Sequence, residues 1–382
     1  MSWWRVTVFT ADSARNSSEA EYVVNAPLHI IEPTLQDQAG HCHSFVASLC
    51  NASQGYPLQL WVSRHALLPD LEETATIQRY FQRRLRKIQV FALYASLLRQ
   101  PGRIFVSTAG RLDVMLVNWA AAGTIPAGKV CLYFHWIRPS PGKRRFFSRI
   151  AQKQPHIRFF TPTESVAVFF RQCGITNVSV ISYPVAATLP LQENMTTGFR
   201  HLVYAGAARR DKGFGFVADL VEHLAHTSVD LPVTLQVSAE HYGKQEDLVR
   251  SDIQRLEKTA YPHLNLCSET LDYQQYRMLF RGAICLQLYN QQDFADRISG
   301  VTLDAMSAGA PVVTLSGTWI ARVVQRFGAG IVIDEPTPIA VLGAVRQIVA
   351  KYADYRDKAL HTGRVMGAEH DAGFLFKALT DN

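Results

Sequence analysis

Two segments of this sequence carry side chains that could bind a phosphate group, and the first is Leu202–Phe214 (LVYAGAARRDKGF). It runs from an apolar, strand-like stretch into Gly206 and then into Arg209, Arg210 and Lys212. Guanidinium and ammonium groups on a loop that follows a parallel strand suit the charge of a diphosphate. A solvated basic turn has the same composition, so this segment alone leaves both interpretations open.

The second segment, residues 293–318, has a polar turn that leads into an apolar, helical pattern. The turn contains Ser299 and Gly300, and the helix is predicted to begin at Val301 and to end at Ala308. Backbone N–H groups at a helix start, with the positive end of the helix dipole, attract phosphate. The small residues of the turn let a ligand approach the backbone closely. The alternative is an ordinary βαβ turn without a ligand.

Two carboxylates of the second segment, Asp296 and Asp304, are candidates for hydroxyl binding. They are eight residues apart, and we expect Asp296 at the end of a strand and Asp304 on the helix. Carboxylate oxygens accept hydrogen bonds from ribose or sugar hydroxyls. The spacing alone does not distinguish a ribose contact from a sugar contact.

The elements that would position these residues alternate between strand and helix along both halves of the chain. In the first half, short apolar runs such as Val114–Trp119 predict strands, and apolar residues three and four apart predict one long helix over 74–99. The second half restarts the alternation at His201–Gly206. Such alternation indicates parallel sheets built from βαβ units. We therefore predict an α/β fold with two Rossmann-like domains, 1–190 and 191–382, that face a cleft. The last helix of the second domain is expected to pack back on the first.

Composition excludes several classes of protein. Hydrophobic residues make up 48% of the 382 residues and charged residues 19%, which is typical of a globular chain. No stretch predicts a membrane span or a secretory signal. The six cysteines form no Cys-x-x-Cys pair. This pattern favours reduced thiols in the cytoplasm, and no metal site is predicted.

Together, the two phosphate-binding candidates resemble the C-terminal domain of GT-B glycosyltransferases, most closely the retaining family-4 type. Lys212-Gly213 matches the Lys-Gly of that family's diphosphate loop. Asp296 and Asp304 match its two acids as Asp-x7-Asp. The stretch Ala305–Val313 (AMSAGAPVV), directly after Asp304, matches the residues that follow the second acid in the family's typical pattern, E-A-M-A-x-G-x-P-V-V. The chain departs from the family at Ala207, where the family has an arginine. Arg209 or Arg210 would therefore have to reach the phosphate instead.

The resemblance implies roles for further residues. In the family, a glycine turn after the first strand approaches the donor phosphate, and Gly40 matches that turn. A histidine at a strand end contacts the transferred sugar, and His135 in CLYFHW has such a place. With Asp296, it is the predicted catalytic residue. Leu271, in the loop that would hold the base, and Asp304 are predicted to bind the nucleoside. A satisfied histidine at a strand end is the alternative for His135.

The resemblance also implies a reaction. A hexose would move from a nucleoside-diphosphate sugar (a UDP- or GDP-sugar) to an acceptor with retention of configuration, and basic groups would stabilise the departing diphosphate. No Asp-x-Asp motif is present, so no metal or other cofactor is expected. Two alternatives stay open. One is a non-catalytic GT-B domain that acts as a membrane-associated scaffold, and the other is a nucleotide-sugar epimerase.

The first half of the chain is strongly basic. Residues 74–163 contain 16 basic residues and a single acid, Asp113. Basic residues within 79–99 and 143–149, the second rich in phenylalanine as well, suit anionic lipid head groups. We therefore predict a cytoplasmic enzyme that binds the inner face of the plasma membrane and uses a lipid-linked or cell-envelope polysaccharide acceptor. A solvated basic face is the alternative. Nucleic acid is not an expected partner, because no recognition motif accompanies the charge.

Overall fold

The computed structural model of the chain describes residues 26–38, 40–184, 198–238, 246–269 and 271–381. These residues divide into two compact units. The first unit contains the described chain up to Ile181 together with the C-terminal segment from Ala372, and the second extends from Ser182 to Asp371. The predicted boundary after residue 190 lies outside the described residues.

The described residues of the first unit form a parallel sheet of seven strands in the order β3-β2-β1-β4-β5-β6-β7. Every residue of the central strands β1 (LHII) and β5 (VCLY) is buried, as expected for a sheet covered on both faces. The strands are β1 (Leu28–Ile31), β2 (Leu58–Ser63), β3 (Thr76–Phe81), β4 (Arg103–Val106), β5 (Val130–Tyr133), β6 (Arg158–Thr161) and β7 (Val178–Val180).

Helices connect these strands and bury their apolar faces against the sheet. Leu93, Val117 and Phe170, on three different helices, belong to one hydrophobic core that also contains Leu132 of β5. A short 3₁₀ helix, Pro69–Leu71, precedes β3. The α-helices in this part of the chain are α1 (Gly40–Asn51), α2 (Arg86–Leu97), α3 (Arg111–Ala120), α4 (Pro141–Lys153) and α5 (Glu164–Gln172).

The single helix predicted over 74–99 is wrong. Its first part is β3, which pairs with β2 in parallel, and the helix α2 begins only at Arg86. Thr76, Ile77 and the two aromatic residues at the end of β3 favour a strand, and pairing at the sheet edge overrides the helical spacing. Arg79 is therefore on an edge strand, where its Nε donates to the Ala66 carbonyl at 2.9 Å.

The strand predicted at Val114–Trp119 is also wrong, because these residues lie in α3. The backbone N–H of Gly110 donates to the Asp113 carboxylate at 2.8 Å, which caps the start of this helix. Val114 and Val117, three residues apart, are buried on its inner face. A short apolar run has no periodicity that distinguishes a strand from a buried helix. The cap formed by Gly110 and Asp113 favours the helix.

The described residues of the second unit form a parallel sheet of six strands in the order β10-β9-β8-β11-β12-β13. The predicted α/β class with two parallel sheets is therefore confirmed. The strands are β8 (His201–Tyr204), β9 (Val233–Gln236), β10 (Leu264–Cys267), β11 (Ala283–Gln287), β12 (Val312–Leu315) and β13 (Gly330–Ile333). The helices are α6 (Phe214–Thr227), α7 (Asp247–Lys258), α8 (Tyr273–Met278), α9 (Gln291–Phe294), α10 (Gly300–Ser307), α11 (Trp319–Phe327), α12 (Pro338–Ala350) and α13 (Tyr352–Glu369).

The last helix, α14 (Ala372–Thr380), belongs to the first unit. Its inner face buries Leu375 and Leu379 completely. Phe376 of α14 meets the ring of Tyr56 edge-on, with 5.7 Å between the ring centroids. The Arg103 guanidinium, at the start of β4, donates to the Leu379 carbonyl. The first unit is therefore completed by a helix that follows the second unit in sequence.

Candidate functional site

The order of the second sheet predicts where a ligand would bind in this unit. Successive strands run outward from β8 through β9 to β10 on one side, and from β11 through β12 to β13 on the other. Ligands of open parallel sheets bind beyond the carboxyl ends of the strands at the point where the order reverses, which here lies between β8 and β11. The loop after β8 and the turn before α10 both lie at this edge.

Gly213 brings the loop after β8 close to the end of β11. It has a φ of +75°, which glycine adopts without steric strain, and it caps the start of α6. A β-carbon at this position would lie 2.0 Å from the carbonyl oxygen of Leu288. Only glycine therefore allows this approach, which places the neighbouring Lys212 beside the chain that follows β11.

The Lys212 ammonium lies near the start of α10. The position that a β-carbon would take on Gly206 is 3.4 Å from both Lys212 Nζ and Val301 Cγ2. The same Nζ is 5.8 Å from the ring centroid of Tyr289, a buried residue just beyond β11. The structure thus brings together three residues that the sequence singled out, Gly206, Lys212 and Val301.

The turn before α10 is held in place by polar contacts to the sheet. Ser299 is buried at the N-cap, where its Oγ accepts from the backbone N–H of Thr302 at 3.4 Å. The Thr302 hydroxyl donates to Gln287 Oε1, on β11, at 2.6 Å. A β-carbon on Gly300 would meet no atom within 4 Å, so the first turn of α10 is open at this point. The positive end of the helix is thereby fixed beside Lys212.

Arg209 lies in a second group of charged residues on the same loop. Its Nε and Nη2 donate to the two oxygens of Asp211 at 2.8 and 2.6 Å, a bidentate pair. Arg297 Nη1 is 3.7 Å from Asp211 Oδ2, and its guanidinium lies 4.9 Å from the ring centroid of Phe294. Burial, and then the Arg209 charge, lower the pKa of Arg297, while Asp211 raises it. Two guanidiniums therefore share one carboxylate.

Arg210 points to a different group. Its Nη1 pairs with Asp252 of α7 at 2.8 Å, and the same carboxylate accepts from Arg255 at 3.1 Å. Arg255 also bridges to Glu222 and Asp219 of α6. The structure therefore places Arg210 in the contact between α6 and α7, whereas Arg209 and Lys212 lie on the side of α10.

The sequence predicted Asp296 at the end of a strand. In the structure it instead follows the short helix α9, which comes after β11. Its carboxylate is exposed and accepts from Arg322 of α11 at 3.0 Å. The predicted role of Asp296 as a sugar contact remains a prediction.

Asp304 lies on α10, as predicted, and accepts a hydrogen bond from the Tyr276 hydroxyl of α8 at 3.0 Å. Burial raises the pKa of its carboxyl to about 6, and the Tyr276 hydrogen bond lowers it in part. Leu271, half-buried, lies just before α8, whose N-cap is Asp272. Asp304 and Leu271 are thus both associated with α8, while Thr270 of the same loop lies outside the described residues.

In the first unit, sequence reasoning missed a buried carboxylate, Glu32, directly after β1. Its oxygens accept from the hydroxyls of Thr34 at 2.5 Å and Ser107 at 2.7 Å, and from the Thr108 hydroxyl. Burial raises the pKa of the Glu32 carboxyl, and the hydrogen bonds from Thr34 and Ser107 lower it in part. The order of the first sheet reverses between β1 and β4, so Glu32 lies at its switch point. The signal for Glu32 in the sequence is an acidic residue directly after an apolar, strand-like run.

His135 follows β5 at the same edge of the first sheet. Its Nε2 donates to the Ser107 carbonyl at 2.7 Å, and because a carbonyl only accepts, this nitrogen carries a proton. The ring centroid lies 5.4 Å from that of Phe45 and 5.2 Å from that of Tyr133. Gly40 is the first residue of α1, the helix that follows β1. His135 and Gly40 therefore both follow strands of the central part of this sheet.

Among the described residues, no group of three or more histidine, cysteine, aspartate or glutamate side chains is arranged to hold a metal ion. None of the helices in the described ranges combines the length and the apolar character that crossing a membrane requires.

Comparison with known proteins gives structural similarity without sequence similarity. No family model and no curated protein matches the chain. HepE from Anabaena in complex with UDP-glucose aligns with a TM-score of 0.68 at 12% identity, over 93% of this chain and 98% of that one. WaaG, a glycosyltransferase involved in lipopolysaccharide biosynthesis, aligns with a TM-score of 0.65 at 12% identity, over 93% and 100%.

Sucrose-phosphate synthase from Thermosynechococcus elongatus aligns with a TM-score of 0.63 at 14% identity, over 93% of this chain and 96% of that one. At such identities the similarity shows the fold alone. It extends over nearly the whole length of each chain, and it agrees with the two parallel sheets described above. The protein has the GT-B fold.

Proposed function

We propose that this protein is a glycosyltransferase that moves a sugar from a nucleoside-diphosphate sugar to an acceptor. The observation that carries the proposal is the position of Lys212 Nζ, beside Gly206 and the start of α10 at the switch point of the second sheet. An ammonium group and a helix N-terminus together suit a diphosphate. The complex of HepE with UDP-glucose supports a UDP-sugar as the first donor to test.

In the proposed reaction, the bond between the anomeric carbon and the diphosphate oxygen breaks, and its electron pair remains on the diphosphate. An acceptor hydroxyl forms the new bond to the anomeric carbon and passes its proton to the departing diphosphate. The Lys212 ammonium and the N-terminus of α10 stabilise the charge that develops on the diphosphate. Asp304 and Leu271 are proposed to bind the nucleoside, and His135 and Asp296 keep their predicted role as sugar contacts.

Finer features of the reaction are part of the same proposal. Retention of configuration, a hexosyl donor and independence from metal ions follow from the resemblance to family-4 enzymes. A lipid-linked or cell-envelope acceptor is supported by the basic first unit, whose surface would bind an anionic membrane in the cytoplasm. The role of WaaG in lipopolysaccharide biosynthesis is in line with such an acceptor.

An epimerase and a non-catalytic scaffold are the alternatives. An epimerase would need acid and base groups that converge on the sugar ring, and in the second unit the Asp296 carboxylate is exposed and paired with Arg322. A scaffold would not require an ammonium group beside a helix start, or a glycine that approaches the end of β11 this closely. Lys212 and Gly213 therefore favour the enzyme.

A thermal-shift screen of the full chain against UDP, GDP, ADP, CMP and dTDP, with EDTA present, tests the donor site. A ligand at one hundred times its dissociation constant adds about 2.7 kcal/mol of stability, a shift of a few degrees. We expect one nucleoside diphosphate to give this shift, and the matching labelled sugar nucleotide to be turned over. A folded protein that responds to none of them would contradict the proposal and favour the scaffold.

A further inference from the structure

The cluster of Arg209, Asp211 and Arg297 extends the cationic side of the proposed donor site beyond Lys212. Arg209 and Asp211 lie on the loop after β8, and Arg297 lies on the turn before α10. The two segments that the sequence singled out therefore each supply one guanidinium to the same carboxylate, at 2.6 and 3.7 Å. No local pattern indicates that Arg297 meets Arg209, since the two are 88 residues apart.

The backbone of this cluster is fixed from two sides. The Asp211 carbonyl accepts from the Asn290 N–H at 2.8 Å, which ties the loop after β8 to the end of β11. Two residues later, Gly213 makes its close approach to Leu288. The Arg297 guanidinium lies over the Phe294 ring, with 4.9 Å to the ring centroid. Neighbouring residues therefore hold both the loop and the Arg297 guanidinium in place, which is the arrangement that a binding site needs.

The cluster and the neighbouring Lys212 carry more positive than negative charge. Arg209, Arg297 and the adjacent Lys212 carry three positive charges, and Asp211 is the carboxylate that two of them share. Asp293 acts on Arg297 in the same direction as Asp211, but more weakly. Planar guanidiniums bind phosphate oxygens in the same bidentate way as they bind a carboxylate. A diphosphate can thus replace Asp211 as the partner of either arginine.

We propose that Arg297, together with Arg209, binds the diphosphate of the donor, and that Asp211 is the internal anion that holds both arginines until the ligand arrives. This inference rests on the proposed function. The family that the chain resembles has an arginine at the position of Ala207. The inference assigns the role of that guanidinium to Arg297, which reaches the site from its opposite side. It also predicts that the arginines distinguish a diphosphate from a monophosphate or a nucleoside.

Binding of UDP, UMP and uridine to the full chain, measured by calorimetry, tests the inference; the guanosine series is used if the screen selects GDP. We expect Arg297→Ala to weaken UDP binding at least tenfold and uridine binding less than twofold. Arg297→Lys should recover only part of the loss, because an ammonium does not bind in a bidentate way. Arg250→Ala, an exposed arginine of α7, is the control and should change neither affinity.

Asp211→Asn separates the internal anion from a purely structural residue. If the carboxylate competes with the ligand, the variant should bind UDP several-fold more tightly than the wild type. Weaker binding by Asp211→Asn would overturn the role of Asp211. A UDP-to-uridine affinity ratio that Arg297→Ala leaves unchanged, in a protein whose wild type binds UDP, would overturn the inference alone. Absence of UDP and GDP binding by the wild type would instead overturn the proposed function.

Discussion

Lys212 is the residue on which the donor site depends most. Its ammonium lies beside Gly206 and Val301, and a hydrogen bond between charged groups contributes about 1.5–3 kcal/mol. We expect Lys212→Ala to weaken nucleoside diphosphate binding ten- to a hundredfold and to leave the melting temperature of the free protein nearly unchanged. Lys358→Ala, which removes an exposed lysine of α13, serves as the control. Equal affinities of the two variants would contradict the phosphate assignment.

Gly213 is predicted to be irreplaceable for steric reasons. A β-carbon there would lie 2.0 Å from the Leu288 carbonyl oxygen, on a backbone with a φ of +75°. Gly213→Ala should therefore destabilise the second unit by more than about 2 kcal/mol, as measured by urea denaturation. Gly343→Ala, within α12 where a β-carbon meets no atom within 4 Å, should stabilise it slightly. Similar stabilities of the two variants would show that the loop relaxes without cost.

Asp304 gives the second unit a pH dependence of known sign. Burial raises the pKa of its carboxyl from 3.8 in the unfolded chain to about 6. The folded state therefore binds the proton more tightly, and stability falls as the pH rises from about 4 to about 6. Relative to Asp304→Asn, the wild type should lose on the order of 2 kcal/mol over this range, measured by denaturation at each pH. A difference that does not change with pH would refute the shift.

At the residue scale, the sequence identified two segments that meet, but not all of their contacts. Lys212 and Gly206 of the first segment lie near Val301 of the second, because strand ends and helix starts follow from local patterns. Arg210 was a candidate for the phosphate, yet it pairs with Asp252 on α7. Which of two adjacent arginines faces the site depends on an acid 42 residues away. No local pattern contains that information.

At the scale of the elements, the error over 74–99 has a definite cause. The spacing of Ile77 and Phe81 suits one face of a helix, but it also occurs in the aromatic, β-branched stretch that forms β3. An edge strand has a neighbouring strand on one side only. Exposed polar residues of β3, such as Arg79, therefore interrupt the alternation of apolar and polar residues that is typical of a strand. Pairing with β2 is a tertiary effect, so the sequence could not reveal it.

The outer surface of α2, α3 and α4 is the part of the first unit that would bind a membrane. Ile88 of α2 and Trp119 of α3 are 70% and 62% exposed. Basic residues lie at the starts of the same helices, namely Arg86 and Lys87 in α2 and Arg111 in α3. Arg111 of α3 lies over the Phe146 ring of α4 at 5.6 Å, so these two helices are neighbours. Exposed apolar side chains on helices that also carry basic residues suit an anionic bilayer.

Sedimentation with phosphatidylglycerol vesicles tests this surface. We expect the protein to bind them, to bind phosphatidylcholine vesicles much less, and to lose binding at high salt. The double change Ile88→Ser and Trp119→Ser should weaken binding at least fivefold, because the two apolar side chains no longer insert. Leu248→Ser removes an equally exposed apolar side chain from α7 and should have no effect. Equal binding of all three proteins would mean that Ile88 and Trp119 do not contribute, and absence of wild-type binding would indicate a solvated basic face.

At the scale of the whole molecule, the alternation of strands and helices was enough to predict two parallel sheets. The strand order that creates the two switch points was not predictable, because it depends on which strands pair across the sheet. Glu32 illustrates the consequence in the first unit. Its partners Ser107 and Thr108 follow β4, which is distant in sequence but adjacent in the sheet. The sequence can predict that a site lies at the end of a strand. It cannot predict which residues of other strands contribute to the same site, because that depends on strand order.

The last helix makes the first unit depend on the end of the chain. Leu379 of α14 is fully buried, and its carbonyl accepts from Arg103 at the start of β4. Truncation of a buried leucine to alanine costs about 2–5 kcal/mol. We therefore expect Leu379→Ala to destabilise the first unit, although the residue lies beyond the whole of the second unit in sequence.

Hydrogen exchange, followed by mass spectrometry, locates the effect of Leu379→Ala. Amides of β1 and β4 should exchange faster in the variant, whereas those of β8 and β11 should keep the wild-type rate, because α14 belongs to the first unit. Phe374→Ala is the matched control, since this side chain of the same helix is 60% exposed. Faster exchange in both units would mean that they unfold together. Unchanged exchange throughout would mean that α14 contributes nothing to the stability of the first sheet.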